Sequence, residues 1–119
     1  MAATDNEIVI YHNPRCGKSR SALDLLRKRG IEPRVIEYLK TPPTREELRS
    51  VVEKLGVPAE QLVRKGEDVF KTQFAGKQLS EAQWLDAMAA HPILIERPVI
   101  VRGTRAVIGR PPEKALDLL

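Results

Sequence analysis

Ile8-Val9-Ile10-Tyr11-His12-Asn13-Pro14-Arg15-Cys16-Gly17-Lys18-Ser19-Arg20 is the stretch on which the fold turns. Ile8 to Tyr11 is a short apolar run rich in β-branched residues, and His12-Asn13-Pro14 closes it, so it reads as a buried strand. From Gly17 the period changes. Ala22, Leu23, Leu25 and Leu26 recur at helical spacing, Arg27, Lys28 and Arg29 gather where cations suit a helix C-terminus, and Gly30 supplies the stop. Val35 and Ile36, between Pro33 and Leu39, form a second strand. Strand, helix of about a dozen residues, strand is a βαβ unit, and its two strands are expected to be parallel.

Downstream, Thr41-Pro42-Pro43-Thr44 is a stiff turn. Thr44 and Glu47 are spaced as a capping box, followed by the apolar stripe Leu48, Val51, Val52 and Leu55 and by the stop Gly56. A helical turn is expected over Pro58 to Val63, and a polar loop at Lys65-Gly66-Glu67-Asp68. Ser80 and Gln83 form a second capping box, opening a helix that reaches Ala90 and ends at His91-Pro92. Val99 to Arg102, Gly103-Thr104 and Arg105 to Ile108 read as a β-hairpin, and Pro111-Pro112 starts a last helix through Ala115, Leu116 and Leu119. The order β-α-β, a helical insertion over about 44–91, then β-β-α, predicts an α/β domain. Its core is a mixed four-stranded sheet with helices on it. No repeat, low-complexity tract or linker interrupts residues 1–119, so a single domain is expected.

Composition narrows the function. A chain of 119 residues, 42% hydrophobic and 30% charged, can bury a core without disulfide or metal staples. The net charge of +4 arises from 20 Lys+Arg against 16 Asp+Glu. These charges are interleaved, with no long basic run, and the five aromatics are scattered, so no nucleic-acid partner is expected. Met1 to Asn6 is short and polar, unlike a signal peptide, and the apolar runs fall far short of the roughly 20 residues that span a bilayer. With its single cysteine, the chain is expected to be a cytoplasmic protein that does not enter a membrane. One cysteine excludes an internal disulfide, a CxxC pair and a cysteine-rich zinc site, and the acidic residues show no metal-ligand spacing. Neither a metal nor a bound cofactor is expected.

Cys16 stands where the first strand hands over to the first helix. The unpaired N–H groups and partial positive charge of a helix start favour a thiolate. An ordinary cysteine, pKa about 8.5, is only a few per cent thiolate at neutral pH, and lowering it by ~2 units takes about 2.7 kcal/mol. His12, Arg15, Lys18 and Arg20 are placed to supply part of that, Gly17 leaves room for a ligand, and the Ser19 hydroxyl lies one helical turn from the sulfur. Three other readings fail on one residue each. A phosphate-binding P-loop needs glycine at His12, a tyrosine-phosphatase-like loop needs arginine at Ala22, and a dithiol oxidoreductase needs cysteine at Ser19. A lone reactive cysteine has no resolving thiol in its own chain, so the second thiol must come from outside.

Tyr11-His12-Asn13-Pro14-x-Cys16-Gly17-x-Ser19-Arg20, with Thr41-Pro42-Pro43-Thr44-Arg45, Leu62-Val63-Arg64-Lys65, His91-Pro92-Ile93-Leu94-Ile95-x-Arg97-Pro98 and Arg110-Pro111, closely resembles the glutaredoxin-coupled arsenate reductase family over nearly the whole chain. The resemblance implies a thioredoxin-like fold with a helical insertion. It implies that Cys16 attacks arsenate, that Arg64, Arg97 and Arg110 bind the oxyanion, that His12 and Ser19 tune the thiolate, and that the Arg97–Pro98 bond is cis. Glutathione is the implied co-substrate and glutaredoxin the implied protein partner. Arginine's planar fork suits an oxyanion, and Arg97 and Arg110 bracket the hairpin, so both can lie at one end of the sheet. His91 is expected to cap helix carbonyls. Two other readings stay open: a glutathione-dependent monothiol oxidoreductase, because Cys16-Gly17-Lys18-Ser19 is one residue from the CGFS loop of monothiol glutaredoxins, and a non-enzymatic regulator on the same fold.

Overall fold

A computed structural model describes residues 7–119; the expectation that Met1 to Asn6 carries no targeting signal lies outside them. The chain forms two compact units, one from residues up to 41 together with 97–119, the other from residues 42–96.

The first unit holds β1 (Ile8–His12), α1 (Gly17–Lys28), β2 (Arg34–Glu37), β3 (Val99–Arg102), β4 (Arg105–Ile108) and a closing 3₁₀ helix, Pro112–Leu118. The sheet runs β2-β1-β3-β4, with β1 and β2 parallel and the other pairs antiparallel. Ile10 stands opposite both Val35 and Ile100, and Ile100 opposite Val107. Because side chains alternate along a strand, Ile8, Ile10 and Ile100 fall on one face, where they meet Ala22, Leu23 and Leu26 of α1 and Ala115 and Leu118 of the 3₁₀ helix. Burying each large aliphatic side chain contributes about 1.5–3 kcal/mol before entropic costs. This is the thioredoxin-like α/β arrangement expected from the sequence. The closing segment is 3₁₀ rather than α-helical, and Arg102 and Arg105 donate to the Leu118 carbonyl at 2.7 and 3.3 Å, tying its end to the hairpin.

Gly109 follows β4 where no side chain fits. A Cβ there would stand 2.8 Å from Pro98 Cγ and 3.1 Å from Ile100 Cδ1, while the Gly109 N–H donates to the Pro98 carbonyl at 2.8 Å. Gly109→Ala is therefore expected to cost about 1–3 kcal/mol by overpacking. Urea unfolding would show it as a lower midpoint at unchanged slope; a wild-type midpoint would mean that Pro98 yields freely.

The second unit holds α2 (Arg45–Leu55), a 3₁₀ turn at Ala59–Leu62, α3 (Asp68–Gln73), α4 (Glu81–Ala90) and a 3₁₀ turn at Pro92–Leu94. Both capping boxes form: Glu47 N–H donates to Thr44 Oγ1 at 3.1 Å and Gln83 N–H to Ser80 Oγ at 3.2 Å, each reciprocated by the acidic or amide side chain. Gly56 ends α2 at φ 70°, a conformation that a side chain would strain. Leu48, Val51 and Val52 of α2 and Trp84, Leu85 and Met88 of α4 are buried, and the two helices pack together. Helix α3 begins at the end of the expected polar loop and buries none of its residues fully. Its Phe70 stacks on Trp84 at 6.2 Å, and Phe74, just beyond it, packs on the same ring at 6.4 Å.

Candidate functional site

Asn13 shapes the turn between β1 and α1. Its carbonyl accepts the Cys16 N–H at 3.0 Å, its Oδ1 accepts the Arg15 N–H at 3.0 Å, and its own N–H donates to Ser19 Oγ at 3.3 Å. Asn13 and Ser19 are buried, so these bonds are shielded from water. Arg20 donates from Nη1 to the Pro14 carbonyl at 2.9 Å. The result places Cys16 in the N-cap position of α1, with extended backbone (φ −94°, ψ 122°) and a half-buried side chain.

The Cys16 thiol lies below its ordinary pKa although burial, the largest single influence, pushes it up. The Ser19 N–H, the Arg97 guanidinium and the Lys18 N–H all favour the thiolate, and together they prevail. The sequence anticipated a cationic loop and a serine hydroxyl in this role. The structure assigns it to backbone dipoles and to an arginine distant in sequence. The Ser19 hydroxyl oxygen accepts the Asn13 N–H, and the contribution of Ser19 to the sulfur comes from its backbone.

Arg97 and Arg110 come together as their bracketing of the hairpin suggested. Arg110 Nη1 donates to the Arg97 carbonyl at 3.2 Å, the Arg97–Pro98 peptide is cis, and Arg110–Pro111 is cis as well. Pro98 is buried beside Gly109. Arg64 belongs to the second unit, where its Nε pairs with Glu67 at 3.2 Å and its Nη1 with Glu96 at 2.9 Å. Its N–H donates to the Leu94 carbonyl beside the Val63–Ile95 bridge. A Cβ on Gly17 would meet only Arg20 Nη2, at 3.8 Å, so this glycine leaves open space rather than relieving a clash. Among the described residues no group of three or more His, Cys, Asp or Glu is placed to hold a metal ion. No helix there is long and apolar enough to cross a membrane.

His12 is the last residue of β1. It is buried, its Nδ1 has no hydrogen-bond partner among the described residues, and burial lowers its pKa despite the nearby Glu37 carboxylate. It is therefore a neutral imidazole near neutral pH rather than a cationic partner. The unfolded chain then binds a proton that the folded chain refuses, so stability should fall as pH drops through the unfolded value of about 6.5. Urea midpoints measured on either side of that value should fall less on acidification in His12→Gln than in the wild type; equal falls would contradict this. His91 is the C-cap of α4 as expected: its backbone N–H donates to the Ala87 carbonyl at 2.8 Å, while its ring packs edge-on against Phe74 at 5.9 Å.

The chain is 44% identical over 115 residues to the Escherichia coli protein YfgD, which carries no assigned function, covering 95% of this chain and 97% of that protein. It is 42% identical over 115 residues to an Escherichia coli arsenate reductase, covering 96% of this chain and 82% of the other. An arsenate reductase structure from Vibrio cholerae superposes with a TM-score of 0.92 at 46% identity, covering 96% of this chain and 98% of that one. The model of the ArsC family matches residues 11–118. With a cysteine at the start of α1, an arginine that favours its thiolate and a family match over nearly all of its length, the chain belongs to the ArsC family of thioredoxin-like proteins.

Proposed function

We propose that the protein is an arsenate reductase that uses Cys16 as its nucleophile and glutathione and glutaredoxin as its reductants. The observation that carries the reading is the Cys16 thiol at the α1 N-terminus, its thiolate favoured by the Arg97 guanidinium, with Arg110 donating to the Arg97 carbonyl. The arsenate reductases among its relatives support the substrate.

In this mechanism Arg97 and Arg110 bind the arsenate oxygens, arginine forks matching the anion's shape. The Cys16 thiolate attacks arsenic and a protonated oxygen leaves as water, giving a thiol–arsenic(V) adduct. Positive charge at the site steadies the oxygens as they gain negative character. A glutathione thiolate then attacks the Cys16 sulfur. A disulfide forms, the sulfur–arsenic bond breaks, and its electron pair stays on arsenic, which departs as arsenite. Glutaredoxin reduces the Cys16–glutathione disulfide and frees the thiol. No bound cofactor or metal enters; glutathione is consumed as a co-substrate. These reductants belong to a reducing cytoplasm, the compartment that the lone thiol suggests. His12 contributes its neutral, buried ring to the packing beneath the loop, and Gly17 keeps the approach to the sulfur open.

The test is arsenate-dependent NADPH consumption in an assay coupled through glutathione, glutaredoxin and glutathione reductase. Folded protein should turn over arsenate; absence of turnover would overturn the proposal. Glutathione-dependent reduction of mixed disulfides without arsenate turnover would favour a monothiol oxidoreductase instead.

A further inference from the structure

Three cations, Arg15, Lys18 and Arg20, flank Cys16 in the loop and first turn of α1. Arg15, Lys18 and Arg20 are exposed, as are Pro14 and Gly17 between them, whereas Cys16 itself is half-buried. Arg20 folds back over the loop to the Pro14 carbonyl, which brings its guanidinium beside Gly17. None of the three forms an ion pair among the described residues. Along the chain no acidic residue occurs between Glu7 and Asp24, so the rim is not neutralised from within its own segment. The thiolate is favoured by the backbone N–H groups of Ser19 and Lys18 and by Arg97. Their exposed charge is open to a solute that approaches the Cys16 loop.

We infer that Arg15, Lys18 and Arg20 form a docking rim for an anionic low-molecular-weight thiol or its disulfide, drawing its carboxylates to either side of Cys16. Glutathione has this chemistry, with two carboxylates and one ammonium per molecule. A lone cysteine needs a thiol from outside its own chain in every cycle, because no second one exists in it. Rims of one sign raise encounter rates with opposite charge by ten-fold or more at low ionic strength, and salt removes the gain. The inference deepens the arsenate-reductase reading and rests on its reactive Cys16, but not on arsenate.

The experiment follows the reduced protein reacting with disulfides of different charge: glutathione disulfide (anionic), hydroxyethyl disulfide (neutral) and cystamine (cationic). In each, the Cys16 thiolate attacks one sulfur, the S–S bond breaks, and the other half leaves as a thiolate. The second-order rate constant with glutathione disulfide should exceed that with cystamine and fall as salt is added. Arg15→Gln/Lys18→Gln/Arg20→Gln should lower it about ten-fold and leave the neutral disulfide within about two-fold. Because Arg20 also braces the loop, Arg15→Gln/Lys18→Gln provides a variant that breaks no side-chain hydrogen bond and keeps the Lys18 N–H; it should show the same selectivity at smaller size. Equal slowing with all three disulfides, or a rate indifferent to salt, would overturn the docking rim. Failure of Cys16 to react with any of them would instead overturn the reactive-cysteine reading beneath it.

Discussion

Cys16→Ser is expected to abolish arsenate reduction, with kcat/KM falling by about 10⁴ or more, because no other group in the chain can form the bond to arsenic. A serine hydroxyl is too weakly acidic to be ionised at neutral pH, and an oxygen–arsenic ester offers no sulfur for glutathione to attack. The substitution should nevertheless fold. Cys16 occupies the α1 N-cap and closes no side-chain capping hydrogen bond there, whereas serine is among the preferred N-cap residues and would supply one. Thermal unfolding should therefore occur at or above the wild-type temperature while turnover is lost. Substantial turnover in the folded variant would remove Cys16 from the mechanism.

The second large effect is expected at Arg97. Its guanidinium favours the Cys16 thiolate, as a hydrogen-bond donor and as a positive charge. Arg97→Ala leaves burial, which opposes ionisation, against the Ser19 and Lys18 N–H groups alone. The pH profile of Cys16 alkylation should then move to higher pH. Turnover should drop by about 10²–10³, as when one preorganised donor to a developing oxyanion is removed. The Arg110 bond is to the Arg97 carbonyl, so it does not depend on the lost side chain. Arg97→Lys separates the two roles. A lysine keeps the charge and much of the alkylation profile, but its single ammonium cannot grip two oxygens, so KM for arsenate should stay raised. An unmoved alkylation profile in Arg97→Ala would contradict the geometry at the sulfur. A profile that moves while turnover is spared would leave Arg97 as a tuner of the thiol only.

Elements whose signals are local were legible in the sequence. The capping boxes at Thr44/Glu47 and Ser80/Gln83 need only four residues each, and both form with their reciprocal bonds. The βαβ start and the closing hairpin follow from apolar runs that switch period, and the four-stranded sheet follows from their order. Helix α3 was not legible. It has six residues, none fully buried, and its anchor is the contact of Phe70 with Trp84, which no local pattern records. Cys16 could be singled out because a helix start favours an anion wherever it occurs. Which groups act on its sulfur could not, since Arg97 arrives from β3's approach and Arg15, Lys18 and Arg20 turn outward. The work of Asn13 was hidden for a related reason: three bonds through one residue are visible only once the turn has closed. Gly109 was equally silent, because the atoms that exclude a Cβ belong to Pro98 and Ile100, on the neighbouring strand and its approach.

The proposed reaction takes Cys16 through an arsenic adduct to a glutathione disulfide. Intact-mass spectrometry of the reduced protein tests it most directly, because a single cysteine allows any thiol adduct one location. Incubation with arsenate and glutathione, without glutaredoxin, should leave one glutathione on the protein. Arsenate alone, glutathione alone, and phosphate with glutathione should leave none, since phosphate has the shape of arsenate but cannot be reduced by a thiol. A glutathione adduct that forms equally without arsenate, or none at all when both are present, would contradict the account.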